Sequence, residues 1–247
     1  MRSNIYKETR VALYILTALM LFSLLFYFFA SMFTSMGYKG YKKANTSNTL
    51  NEETTLTIIL DPGHGGEDPG ATVGDLKEKD LNLEIAKMLY DILTENGNNV
   101  VMTRSDDVLL YNRGEESKKK YHDIRNRKAI AESYQNGIFI SLHMNKFPAS
   151  YCKGLQTFYS ENNPQSRILA DLIQKDICLL QTDNRRTIKS GNSTIYLMEK
   201  LTMPSVLIEC GFLSNSDEAK LLQDDEYKKA LVFSLYCSIS DYLENYI

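Results

Sequence analysis

Three residues able to do metal and proton chemistry each stand at the end of a short apolar run. His64 follows Thr57-Ile58-Ile59-Leu60-Asp61-Pro62-Gly63, His143 follows Ile138-Phe139-Ile140-Ser141-Leu142, and Glu209 follows Val206-Leu207-Ile208. A lone histidine is weak evidence, because it also serves as an ordinary turn residue. The recurrence carries more weight, since two imidazoles and one carboxylate form a common ligand set for a catalytic zinc whose fourth position stays open. Carboxylates available to complete the set are Glu67, Asp68, Asp75, Glu78 and Asp80. Glu67 and Asp68 lie so near His64 that turn or capping roles suit them better. Glu78 opens the first predicted helix, can turn back toward the strand end, and is favoured in its ionised form by the helix N-terminus. It is the expected third ligand. Glu209 then stands beside the metal, where a carboxylate can take a proton from water and pass it to a leaving amine. The plain alternative for Glu209 is a paired structural carboxylate. Gly63, Gly65 and Gly66 keep side chains away from His64, so a ligand or metal can approach the backbone closely.

Residues about 80 and 145 positions apart must be brought together, and parallel strands of one sheet do this at their carboxyl ends, where open α/β folds bind ligands. The alternation of short β-rich runs with amphipathic helical patterns predicts such a fold. Strands are expected over residues 56–60, 99–103, 138–142, 155–159 (at an edge of the sheet), 195–198 and 205–209. Helices are expected over 79–96, 123–135, 164–180 and 225–246. The first helix carries Leu81, Ile85, Met88, Leu89 and Ile92 on one face and stops at Gly97. Polar residues 181–193 form a loop long enough to be functional. The fold class is therefore α/β, one domain with a mixed, largely parallel sheet flanked by helices.

The 247 residues carry 28 basic and 31 acidic side chains, a net charge of −3. No nucleic-acid footprint follows from that balance, and that class of partner is set aside. Residues 11–33 are uncharged and mostly apolar, a run of ~34 Å as a helix, enough to cross a hydrocarbon core. Arg2, Lys7 and Arg10 precede the run, which is longer than a usual signal-peptide core and lacks a clear cleavage site after it, so an uncleaved anchor is favoured over a signal peptide. Lys39, Lys42 and Lys43 follow it, so charge alone does not set its orientation. The expected organisation is an anchor or signal segment at 1–33, a polar tether at 34–55 and a catalytic domain at 56–247. Cys152, Cys178, Cys210 and Cys237 show no Cys-x-x-Cys spacing and are expected to be unpaired thiols.

The blocks Asp61-Pro62-Gly63-His64-Gly65-Gly66, Glu78-Lys79-Asp80-Leu81-Asn82-Leu83, Thr103-Arg104, Ser141-Leu142-His143-Met144-Asn145 and Met203-Pro204-Ser205-Val206-Leu207-Ile208-Glu209-Cys210-Gly211-Phe212-Leu213-Ser214-Asn215 resemble, in order, those of the zinc-dependent N-acetylmuramoyl-L-alanine amidases. The likeness runs from about residue 56 to the end. It implies a sheet of about six strands, one Zn²⁺ per chain held by His64, Glu78 and His143, and Glu209 as the catalytic carboxylate. Arg186 and Lys189 resemble the family's basic pair, with Thr187 where glycine is common, and either is expected to meet a stem-peptide carboxylate. Asn145 and Ser141 are expected to orient ligands. The implied reaction is hydrolysis of the amide between N-acetylmuramic acid and L-alanine of peptidoglycan, outside the cytoplasmic membrane.

An anchored catalytic domain without wall-binding repeats looks most like the spore-cortex or germination subgroup of endospore-forming bacteria, acting in cortex maturation (muramic lactam formation) or germination between the forespore and mother-cell membranes. Expected partners are the peptidoglycan substrate, the membrane through the N-terminal segment, and an activator protein, with the chain a monomer. Other readings are a zinc carboxypeptidase or other peptidoglycan peptidase, and a membrane-tethered wall-binding protein.

Overall fold

The computed structural model describes residues 55–112 and 114–247. The expected membrane or signal segment and the tether fall outside the described residues, save that residue 55 is described. Within those residues no helix is long and apolar enough to cross a membrane.

Among the described residues, eight strands and six α-helices follow one another: β1 (Thr57–Pro62), β2 (Thr72–Val73), β3 (Leu76–Lys77), α1 (Glu78–Glu95), β4 (Asn99–Met102), α2 (Lys119–Glu132), β5 (Gly137–Asn145), β6 (Gln156–Tyr159), α3 (Pro164–Leu180), β7 (Lys189–Ser190), α4 (Tyr196–Lys200), β8 (Ser205–Phe212), α5 (Ser216–Leu221) and α6 (Asp225–Tyr246). Six strands form the main sheet in the order β4-β1-β5-β8-β6-β7, while β2 and β3 make a separate hairpin. β4, β1, β5 and β8 run parallel, β6 runs antiparallel to β8, and β7 is parallel to β6. The mixed, largely parallel sheet flanked by helices is thus as expected.

Strand alternation sorts the side chains onto two faces. Ile58, Leu60, Ile138, Ile140, Leu142, Val206, Ile208 and Cys210 join one large core with Leu81, Ile85 and Leu89 of α1, Leu169 and Ile173 of α3, and Leu235 and Ile239 of α6. Ile59, Phe139 and Leu207 join a smaller core with Ala131 of α2 and Leu197 and Met198 of α4. By the same parity Asp61, Ser141, His143 and Glu209 continue the smaller face toward the carboxyl ends of the strands.

The helix ends follow local chemistry. At the end of α1 the Gly97 N–H donates to Thr94 O (3.0 Å) and the Asn98 N–H to Leu93 O (3.1 Å), with Gly97 at φ +84°. This pair of bonds is a Schellman closure, which needs a residue at ease in the left-handed region. Pro164 opens α3 behind Asn163, whose side chain accepts from the Gln165 N–H.

Four expectations are corrected. Residues 195–198, read as a strand, enter the helix α4, because a run so short cannot distinguish the two periods and Ile195 N–H already bonds back to Gly191 O (2.8 Å). The strand at 155–159 lies inside the sheet, since β7 pairs along its outer side. The second helix starts at Lys119 rather than at 123. β5 and β8 extend beyond 142 and 209, so His143, expected just past the end of its strand, is a ladder residue whose Cα pairs across the sheet with that of Glu209, which lies in its strand as expected.

Candidate active site

His64 follows the end of β1 in a loop whose backbone is held from several sides. It has φ +61°, an uncommon conformation for a residue with a Cβ, so the loop must be held by its surroundings. Arg104 and Arg127 supply that hold. Pro62 O accepts from Arg104 Nε (2.9 Å) and an Arg127 terminal nitrogen (2.7 Å), Gly63 O accepts from Arg104 (3.0 Å) and Asn82 Nδ2 (3.1 Å), and His64 O accepts from Arg127 (2.7 Å). Arg127 is only 2% exposed, and its charge is matched by Asp61 (2.7 Å) and Asp123 (2.8 Å). Such pairing is required, since an unpaired buried charge is strongly destabilising. Burial pushes the Asp61 carboxyl up, but Arg127 and the hydroxyls of Thr103 and Ser141 outweigh it and hold the group below the ordinary carboxylate range. Desolvation lowers Arg104 to about 10.

Glu78, the first residue of α1, turns its carboxylate back as expected. Its Oε1 lies 3.2 Å from His64 Nε2 and 2.9 Å from His143 Nδ1 and accepts from the Met144 N–H (3.1 Å), while Oε2 accepts from the Ala71 N–H (2.7 Å). Burial works against the charge, yet the two imidazoles pull the Glu78 pKa well down. For His64, burial is outweighed by Glu78 and Asp68, which raise its pKa. The two rings meet edge to face with centroids 5.0 Å apart. A Cβ at position 63 would overlap the His143 ring, so only glycine allows this approach.

His64, Glu78 and His143 each present a ligand atom within 4.8 Å of the others. A tetrahedral ion with bonds near 2.0–2.1 Å spaces its ligands ~3.3 Å apart, and the two spacings to Glu78 Oε1 lie close to that. His64 Nδ1 is 2.9 Å from Asp68 Oδ2. A carboxylate there accepts the Nδ1 proton and leaves the Nε2 lone pair for a metal, the outer partner that ligating histidines usually have. The donor set therefore fits a divalent ion such as zinc.

Glu209 stands across from His143 in the β5–β8 ladder. Its Oε2 is buried without a hydrogen-bond partner. Burial pushes its pKa up to about 7; the histidines oppose this and Glu78 adds to it. A half-buried acid with one shielded oxygen, poised near neutrality, is suited to moving a proton. Beside it opens a cavity of about 340 Å³ lined among others by His64, His143, Lys120, Arg127, Tyr196 and Glu209.

The remaining expected residues lie around this centre. Arg186 donates to Lys153 O (2.6 Å) and Gln156 Oε1 (3.0 Å), with its guanidinium 4.4 Å from the Phe212 ring centroid; Gln156 is the cross-strand neighbour of Glu209. Lys189 is exposed on β7, and Asn145 ends β5, its backbone carbonyl accepting from Leu213 N–H (2.8 Å). None of the three lines the cavity. Ser141 holds Asp61 (2.7 Å). Sequence reasoning missed the roles of Asp68, Asp61, Asp123 and Arg127. The available signal was two charged residues one turn apart, Asp123 and Arg127, in a helix with no continuous apolar stripe.

Residues 58–241 match a family model described as N-acetylmuramoyl-L-alanine amidase. The chain is 38% identical over 187 residues to the germination-specific N-acetylmuramoyl-L-alanine amidase of Bacillus subtilis (strain 168), covering 75% of this chain and 78% of that protein. Among solved structures, it is similar to the CwlD amidase from Clostridioides difficile in complex with the GerS lipoprotein (39% identity, TM-score 0.73, 76% of this chain and 98% of that one). It is also similar to the catalytic domain of the amidase CwlV from Bacillus (Paenibacillus) polymyxa var. colistinus (29% identity, TM-score 0.67, 77% and 99%). With its blocks converging on one rim of the sheet and a match running through nearly all of residues 58–241, this chain belongs to the N-acetylmuramoyl-L-alanine amidase family.

Proposed function

We propose that the protein hydrolyses the amide between N-acetylmuramic acid and L-alanine of peptidoglycan, with one Zn²⁺ held by His64, Glu78 and His143. The observation that carries this reading is the unpartnered Glu209 carboxylate oxygen on the strand next to a His-Glu-His cluster, on a chain of this family. When bound, the ion supplies Lewis acidity to the lactyl carbonyl and to water. Glu209 accepts the proton of the attacking water and delivers it to the alanine nitrogen as the C–N bond breaks, leaving a muramic carboxylate and a free amine. Asp68 holds His64 in the ligating tautomer, and the arginine-held loop keeps it aimed. Arg186, Lys189 and Asn145 are assigned to the outer surface that receives the substrate.

A role in spore germination or cortex maturation is supported by the name of the Bacillus subtilis relative. A lipoprotein activator is supported by the complex in which the Clostridioides difficile relative was solved. The apolar run at residues 11–33 supports membrane attachment with the catalytic domain on the peptidoglycan side. The test is mass analysis of peptidoglycan digested by the zinc-loaded full-length protein. Peptides with a free alanine amino terminus and glycan strands bearing unsubstituted muramic acid are expected. Release of C-terminal amino acids from stems that stay attached to the glycan would replace the amidase with a carboxypeptidase.

A further inference from the structure

Adjacent lysines at the start of α2 strap adjacent acids of the His64 loop. Lys119 pairs with Glu67 (2.6 Å) and Lys120 with Asp68 (2.6 Å). The two pairs differ in what they face: Lys120 lines the cavity beside Glu209, and Lys119 does not. Lys120 keeps 73% of its side chain exposed, whereas its partner Asp68 is 10% exposed and already engaged by His64.

The fixed charges lining the cavity are unevenly satisfied. Among the described lining residues the carboxyl groups are Asp61, Asp68, Asp123 and Glu209, and the fixed cations are Lys120 and Arg127. Arg127 spends its donors on Asp61, Asp123, Pro62 O and His64 O. An ammonium has three N–H donors, and Asp68 is the partner Lys120 shows in the structure. Donors therefore remain for an incoming acceptor without breaking the pair to Asp68. Without Lys120, an anionic ligand entering past Asp68 would meet the unscreened charge of that carboxylate.

Resting on the amidase reading, we propose that Lys120 binds a carboxylate of the departing peptide, on the residue after L-alanine, and thereby selects substrates whose acid is free over those in which it is amidated. This places the charge-reading contact on α2, at the wall of the cavity, rather than on Arg186, whose guanidinium is already bonded to Lys153 O and Gln156.

The test compares full-length protein and its Lys120→Gln and Lys120→Arg variants on N-acetylmuramoyl-L-alanyl-D-glutamate with its γ-carboxyl blocked as an amide, so that only the α-carboxyl is free, and on the same compound with the α-carboxyl amidated as well. Binding of both compounds to the metal-free proteins is measured by calorimetry alongside cleavage by the zinc-loaded ones. The unsubstituted protein is expected to prefer the free acid about tenfold or more, the size of a charged hydrogen bond. Lys120→Gln should lose that preference through KM and binding, with kcat and zinc affinity kept, and Lys120→Arg should restore most of it. An equal loss on both compounds, or a fall in zinc affinity, would overturn the proposal by showing that Lys120 acts only through Asp68 on His64. No preference in the unsubstituted protein would also overturn it. Cleavage of neither compound, nor of whole peptidoglycan, would instead remove the amidase reading itself.

Discussion

The two faces of the main sheet divide stability from chemistry. On one, β1, β5 and β8 carry apolar side chains through Leu60, Met144 and Cys210, packed under α1, α3 and α6. On the other, the same strands begin with Ile59, Phe139 and Leu207 and then change to Asp61, Ser141, His143 and Glu209. A single residue step along a strand exchanges one environment for the other. The polar face tolerates its buried charges because each ionised group but Glu209 has a matched partner. That exception is the group proposed to move a proton.

The division predicts that substitutions on the two faces fail in different ways. The largest effect is expected from Glu209→Gln, which should lower kcat by about 10²–10⁴-fold while zinc stoichiometry by atomic absorption stays the same; undiminished turnover would remove Glu209 from its role. On the apolar face Leu89→Ala should cost about 2–5 kcal/mol of unfolding free energy, read from denaturant titration, with kcat of the folded fraction unchanged. Loss of zinc affinity in that variant would break the separation.

Arg127→Lys keeps the charge but not the fork that reaches Asp61, Asp123, Pro62 O and His64 O. Zinc affinity should fall about 10–100-fold, measured by competition with a chromophoric chelator. Unaltered affinity would show that the His64 loop holds its conformation alone.

The smallest expected effect is on stability. The Glu209 pKa is raised to about 7 from 4.5, so folding is opposed by ionisation as pH rises from the lower value to the higher. Metal-free Glu209→Gln should therefore be more stable than the parent at pH 8 by roughly 1–3 kcal/mol, and equal to it below about pH 4. Asp61 has the opposite sign. Its lowered pKa stabilises the fold above its unfolded value, and that contribution is lost as pH falls. Thermal melts of Glu209→Gln and Asp61→Asn across pH separate the two.

Much of the centre was legible because its parts carry strong local signals. His64 and His143 end β-rich runs, Glu78 starts an amphipathic helix, and Gly97 marks that helix's close. The arginine-held loop was not. α2 reads as a polar surface helix, and the burial of Asp123 and Arg127 follows only from its packing against the polar half of a sheet face. The misassigned segment at 195–198 has a similar cause. Its four residues suit either period, and the contacts of Leu197 and Met198 with the smaller core decide for helix.

Taken alone, the chain's order of apolar runs, turn residues and ionisable groups determined the α/β architecture, the candidate ligands and the candidate acid–base residue, since each depends on short-range pattern. Tertiary packing decided which carboxylates are paired, which one is left poised near neutrality, and which lysine faces the cavity. Those properties depend on burial and on neighbours distant in the chain, and the free energy of a charge is set by what surrounds it rather than by its place in the sequence.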